Sequence, residues 1–228
     1  MQPYVFPYIG YFQMVNCVDH FVFYDDVNFV KKGWINRNRI LSNGEELLIT
    51  VPLVKASQNR LINEIELFVN ENFKAKFILN IENSYQKSPY YADVMPLIRE
   101  IVNADIPSIG EYSANSVLCV SNYLGLSTKF YFSSTLSPES RGIDRADRLI
   151  HICKKLGGSS YVNAIGGVEL YSQEYFRRKA VRLSFLKTSK IEYSQFNHPF
   201  VPSLSIIDLL MFNSVDSIKD MLNKYELV

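Results

Sequence analysis

Two adjacent carboxylates, Asp25 and Asp26, close an apolar run that ends at Tyr24. At the end of a strand such a pair can hold a divalent ion or take a proton as a general base, and it can equally form a turn. His198, beside Pro199, is the one histidine that falls in a loop and is a second candidate base. Asn36-Arg37-Asn38-Arg39 carries more donors than a hairpin strand needs. Arg37 and Arg39 share one face and can grip a phosphate or carboxylate bidentately, or simply form a solvated face. Asn36, Asn38 and Asn163 add side-chain amides to this set of donors. Gly10 opens a helix after a strand, where free N–H groups suit an anion. Gly166, followed by Gly167, lets a ligand approach the backbone or caps a turn. Gln2, Tyr8, Tyr11, Asn28, Tyr193 and Gln195 complete the candidate lining. No Ser/His/Asp set is legible. No metal-ligand spacing or cofactor motif is present, so neither a metal nor a cofactor is expected.

The elements that must position these residues begin with Pro3 to Pro7, which reads as a strand running into a loop. Gly10 to Val18 has helical apolar spacing, and His20 to Asp25 is β-rich. Trp34 to Ile40 alternates, Ser42-Asn43-Gly44-Glu45 signals a turn, and Leu47 to Pro52 returns, which together make a β-hairpin. Residues 61–67 suggest a third strand of that insertion. Helices are expected over 72–84, 91–102 and 108–124, the last opening on Ser108 with Glu111 and stopping at Gly125. Strand–helix alternation then resumes: strands at 129–134, 160–164 and 181–186, helices at 144–156 and 173–179. Residues 206–211 and 217–225 read as closing helices, with Ser205 as cap and Asp208 as the capping-box acid. The expected fold is an α/β domain over 1–228. It has an open, doubly wound, mostly parallel sheet of about five core strands. An antiparallel hairpin and a helical segment are inserted at about 30–125. Ligands of such a sheet bind at the carboxyl ends of the strands.

Composition narrows the function classes. The chain has 228 residues, 47% hydrophobic and 21% charged, with a formal net charge of +1. That balance argues against a dedicated nucleic-acid binder, which carries a basic face. Three cysteines without C-x-x-C spacing fit buried thiols in a reducing cytoplasm. No run approaches the ~18 apolar residues of a membrane span, and the N-terminus lacks the basic region of a signal peptide. The 15 Tyr and 15 Phe cluster with polar neighbours, which suits sugar rings and nucleobases as well as a core.

Several motifs taken together carry a resemblance. Gln2-Pro3-x-x-Phe6-Pro7-x-x-Gly10-Tyr11-Phe12, Phe21-Val22-Phe23-Tyr24-Asp25-Asp26-Val27 and Trp34-Ile35-Asn36-Arg37-Asn38-Arg39-Ile40 resemble the WbqC-like protein family. So do Tyr85-x-x-x-Pro89-Tyr90-Tyr91, Ile152 to Gly157, Tyr161-x-x-x-x-Gly166-Gly167, Tyr193-x-Gln195 and Leu204 to Leu210. The resemblance spans almost the whole chain. It implies a place in O-antigen or other surface-glycan synthesis, with transfer of an acyl or aminoacyl group, glycyl among them, to an amino sugar. Where many relatives carry Gln after Asp-Val, this chain has the shorter Asn28. On that reading a nucleotide-linked amino sugar and an acyl or aminoacyl donor are the partners. Asp25 or Asp26 accepts the amine proton and Arg37 or Arg39 meets the phosphates. A homodimer stays open. Two rivals stand beside it. The first loop loosely resembles the P-x-x-x-G-H loop of nucleotidylyltransferases, with Tyr8 and Tyr11 in place of histidines, which would make the protein a nucleotidyl- or adenylyl-transfer enzyme. A non-enzymatic binding or scaffold protein of the same pathway is the other.

Overall fold

A computed structural model describes all of residues 1–228. Helix α1 (Ile9–Asn16) leads into strand β1 (His20–Phe23), which pairs in parallel with β4 (Lys129–Phe132). Between them lie the hairpin β2 (Arg37–Ser42) and β3 (Glu45–Thr50) and the helices α2 (Glu71–Tyr85), α3 (Tyr91–Asn103) and α4 (Ile109–Tyr123). The short α5 (Ser133–Leu136) follows β4 directly, and α6 (Arg145–Lys155) leads into β5 (Ser160–Ala164). After α7 (Gln173–Arg178), β6 (Arg182–Thr188) pairs in parallel with β5. Helices α8 (Ile206–Phe212) and α9 (Val215–Leu222) precede β7 (Tyr225–Leu227), which adds antiparallel to β6.

Local chemistry explains these boundaries. Asn43 and Gly44 both have positive φ, 53° and 81°, which closes the two-residue hairpin turn. Ser108 Oγ accepts from Glu111 N at 3.2 Å to start α4, and Gly125 at φ 68° stops it. Asp144 and Ser205 cap α6 and α8 in the same way.

The parallel strands do not join into one five-stranded sheet. They form a β1–β4 pair and a separate β5–β6–β7 sheet, and no backbone ladder links the two. Residues 3–7 are not a strand. Pro3 and Pro7 have no N–H to give a ladder, and Phe6 sits at φ 42°, which breaks extended geometry. Residues 61–67 hold a 3-10 turn (Ile62–Glu64) and isolated bridges rather than a third strand. Tyr225, read as the end of a helix, belongs to β7. The hairpin strand starts at Arg37, so Trp34 lies outside the alternation and stacks 5.1 Å from the Arg39 guanidinium.

One large hydrophobic cluster takes residues from α1, β1, the hairpin, α2–α4, α8 and α9. A smaller one, centred on Phe176, joins α6, α7, β5 and β6. The non-strand N-terminal segment crosses the large cluster and needs its polar backbone answered there. Asn38 Nδ2 donates to the carbonyls of Val5 (3.0 Å) and Phe6 (2.5 Å), and Ser205 Oγ donates to Phe6 O at 2.8 Å. Replacing the amide leaves buried Val5 O without a partner and Phe6 O with Ser205 Oγ alone. Asn38→Ala is expected to lower the unfolding free energy by about 2–3 kcal/mol, read from urea denaturation.

Candidate functional site

The carboxyl ends of β1 and β4 bring Asp25, Asp26, Ser133 and Ser134 together. Asp25 accepts from Ser134 N (3.0 Å), Ser134 Oγ (2.6 Å) and Asn63 Nδ2 (3.3 Å). Ser133 Oγ lies 3.0 Å from Asp25 and 2.5 Å from Asp26, so its one proton serves both carboxylates in turn. Asp26 Oδ2 accepts from Arg148 Nη2 at 2.5 Å, with both side chains about 95% buried. The Arg148 guanidinium also lies over the Tyr24 ring at 4.6 Å and donates to Ser140 Oγ at 3.1 Å. A buried arginine so held costs desolvation, which these partners offset. Asp25 has nearly all its lone pairs engaged, whereas Asp26 keeps acceptor capacity free.

Other candidates stand around or away from this cluster. Gln2 follows Met1, whose carbonyl accepts from Tyr24 N at 2.7 Å, and its Oε1 accepts from Tyr4 Oη at 3.5 Å. Tyr8 is exposed, and its ring covers Gly10, where an added Cβ would lie 2.5 Å from the ring and push it aside. Tyr11 is fully buried and donates to Gln2 O at 3.0 Å. Asn163 is half-buried at the end of β5, and its amide fills the space where Gly167 would carry a Cβ. Gly166 is exposed with nothing within 4 Å, so no packing inside the chain requires a glycine there. Asn28 is exposed on a bridge to Leu61.

The structure does not bring the remaining candidates to the Asp25–Asp26 cluster. Asn36 Nδ2 is spent on Val51 O at 2.8 Å, as Asn38 is spent on Val5 and Phe6. Arg37 Nε donates to Gly33 O at 3.1 Å, and Arg39 pairs with Glu46 across the hairpin at 2.8 Å. Exposed His198 packs on Gly44, beside a cavity of about 270 Å³. Tyr193 and Gln195 belong to a second buried network. Tyr193 Oη (2.6 Å), Gln195 Nε2 (2.6 Å) and Tyr85 Oη (2.9 Å) all donate to Asp208, and Leu41 N donates to Tyr85 Oη at 2.8 Å. Asp208 therefore does not close a capping box; it anchors α8 to α2 and the hairpin. Burial pushes its carboxyl up, and the three donors oppose that.

Sequence reasoning missed Arg148 and Asn63. Arg148 stands four residues before Ile152, on the face α6 buries, and a charge on an apolar helix face was the available signal. Asn63 gave none, because its segment read as a strand.

The sequence profile of the WbqC-like protein family matches residues 2–220. The chain belongs to the WbqC-like protein family. This WbqC-like chain is also 26% identical over 210 residues to "Uncharacterized protein Rv1507c" of Mycobacterium tuberculosis, covering 90% of the chain and 88% of that protein. No solved structure matches it. No helix of this WbqC-like protein is long and apolar enough to cross a membrane.

Asp208 provides a pH test of the second network. Its carboxyl is raised from 3.8, so the native state binds that proton more tightly than the unfolded chain. The group's stabilising contribution is full below pH 3.8 and is lost as pH rises through the raised value. Against Asp208→Asn, the native chain is expected to hold its largest relative stability in the most acidic buffer. That margin is expected to shrink towards neutrality in paired urea melts.

Proposed function

We propose that this WbqC-like protein is a transferase of surface-polysaccharide synthesis that joins an acyl or aminoacyl group, glycyl in the simplest case, to the amino group of a nucleotide-linked amino sugar. The observation that carries this reading is the buried Asp26–Arg148 pair at the carboxyl ends of β1 and β4, beside Tyr24 and two serine hydroxyls. Family membership supports the pathway.

An amide-forming transfer needs an amine that loses a proton as it attacks the acyl carbon. In this reading the amine nitrogen forms the new bond to that carbon and the donor's leaving group departs with its electron pair. The amine's proton passes to Asp26, the carboxylate with acceptor capacity to spare. Asp25 positions Ser134, and Arg148 holds Asp26 in place. Gln2, Tyr8 and Asn163 offer the polar and aromatic surface for a sugar and a base, and open Gly166 lets the ligand lie against the backbone.

The test is a thermal-shift screen of nucleotide-linked amino sugars, followed by mass analysis of the sugar after incubation with acyl-thioester and aminoacyl donors. Binding to the native state raises Tm. Asp26→Asn is expected to lower turnover by about 100-fold or more while keeping the ligand-induced shift. Full turnover in that folded variant, or no acylated product with any donor, overturns the reading.

A further inference from the structure

Residues 27–63 hold six Lys or Arg against two Glu, in a chain whose formal net charge is +1. This basic segment begins just past Asp25. There the chain runs antiparallel to residues 60–63, with Asn63 N donating to Asp25 O, Ile62 N to Val27 O and Phe29 N to Arg60 O. It then turns, and Gly33 N donates to Val30 O at 3.2 Å. Lys31 and Lys32 are the two corners of that turn. Both are exposed, and the ion pairs of the chain lie elsewhere. Lys32 has φ 60°, a conformation that glycine or asparagine adopts with less strain. A cation thus occupies a corner where the backbone alone favours a different residue.

The turn leads onto the outer face of the hairpin. Arg37 spends only Nε on Gly33 O, and the Arg39 guanidinium lies over the Trp34 ring. Arg37 and Arg39 stand opposite Thr50 and Leu48, while Asn38, Ile40 and Ile49 face inward and are buried. Val30, Trp34 and Leu48 are 50%, 41% and 50% exposed, beside the cations Lys31, Lys32 and Arg37, which have no carboxylate partner. None of these residues lines the cavities of about 400, 310 and 270 Å³. Exposed apolar groups set among free cations suit a broad anionic surface with an apolar layer beneath it. The other basic stretch, on α7, differs. Glu174 pairs with Arg177 and Arg178, and Asp147 lies 3.8 Å from Lys179.

We infer that the turn over 30–34 and the outer face of the β2–β3 hairpin dock on the anionic surface of a phospholipid bilayer. Lys31, Lys32 and Arg37 meet lipid phosphates. Trp34, Val30 and Leu48 enter the layer between headgroups and acyl chains, where an indole is at home. The protein then lies on the bilayer without crossing it. A single-stranded nucleic acid fits less well, because it would use the cations and stack on Trp34 but leave Val30 and Leu48 in water. The inference does not depend on the transferase reading, since Asp25, Asp26 and Arg148 take no part in the contact.

Trp34 is the chain's one tryptophan, so its emission reports on this surface directly. The protein is mixed with vesicles of phosphatidylglycerol and phosphatidylcholine, and separately with vesicles of phosphatidylcholine alone. Bound protein is separated by flotation. Binding is expected on the anionic vesicles, with Trp34 emission moving to shorter wavelength. It is expected to weaken as salt rises towards about 0.5 M. Lys32→Gly combined with Lys31→Gln is expected to lower vesicle affinity about tenfold or more. That variant is expected to stay folded, since glycine fits φ 60°. Arg177→Gln combined with Arg178→Gln is expected to leave vesicle binding unchanged. No binding, equal binding to both kinds of vesicle, or binding without a change in Trp34 emission overturns the inference. A Trp34 response to a single-stranded oligonucleotide but not to the anionic vesicles overturns it in favour of nucleic acid.

Discussion

Residues 3–7 cross the core without a strand partner, and distant side chains satisfy their main-chain polar groups one at a time. Ser116 Oγ accepts from Phe6 N at 2.9 Å, and Asn38 and Ser205 donate to the carbonyls of Val5 and Phe6. Ile206 N takes Pro7 O at 2.9 Å, and Tyr11 Oη reaches Gln2 O. A buried amide or carbonyl left without a partner costs about 1–3 kcal/mol, so this segment dictates the type of residue at each contact. It also ties four elements to one point: the hairpin through Asn38, α4 through Ser116, α8 through Ser205 and Ile206, and α1 through Tyr11. Several polar residues that look like ligand contacts are therefore structural donors.

Two buried carboxylate centres result, with different surroundings. Asp208 is ringed by neutral donors, which hold three elements in register without any cation nearby. Asp26 faces a guanidinium that is itself held by a tyrosine face and a serine. The first is suited to rigidity. The second is a charged pair next to the strand ends, where a small change in solvation or a bound ligand alters its energy strongly.

Local signals in the sequence located most elements well. Asn43-Gly44 carried its turn, Ser108 and Gly125 bounded α4, and apolar spacing marked α2 and α3. The rule for parallel strands pointed to the carboxyl ends of the strands over 20–25 and 129–134, where Asp25 meets Ser133 and Ser134. What was not legible depends on tertiary choice. Residues 3–7 have strand-like composition, and only their side-chain partners, up to 199 residues away, show why they form no ladder. Arg37 and Arg39 look free in the sequence because Gly33 and Glu46 claim them only once the hairpin closes. Asp208 read as a cap acid because Tyr85 lies 123 residues distant. The break between the β1–β4 pair and the β5–β6–β7 sheet has no local signature at all, since each bordering strand is well formed by itself.

Helix α1 is secured from the far end of the sequence. Gln13 Nε2 donates to the carbonyls of Met221 and Lys224, both at 2.9 Å, and Asn16 meets Asn223. Gln13 is fully buried, so this amide has no water to fall back on. During synthesis, α1 leaves the ribosome long before residues 221–224 exist. Its polar anchor stays open until carbonyls 208 and 211 residues further along the chain have emerged, and the native docking of the first helix waits for them. Docking of the first helix is therefore a late, long-range step, and until it happens the Gln13 amide must keep water as its partner.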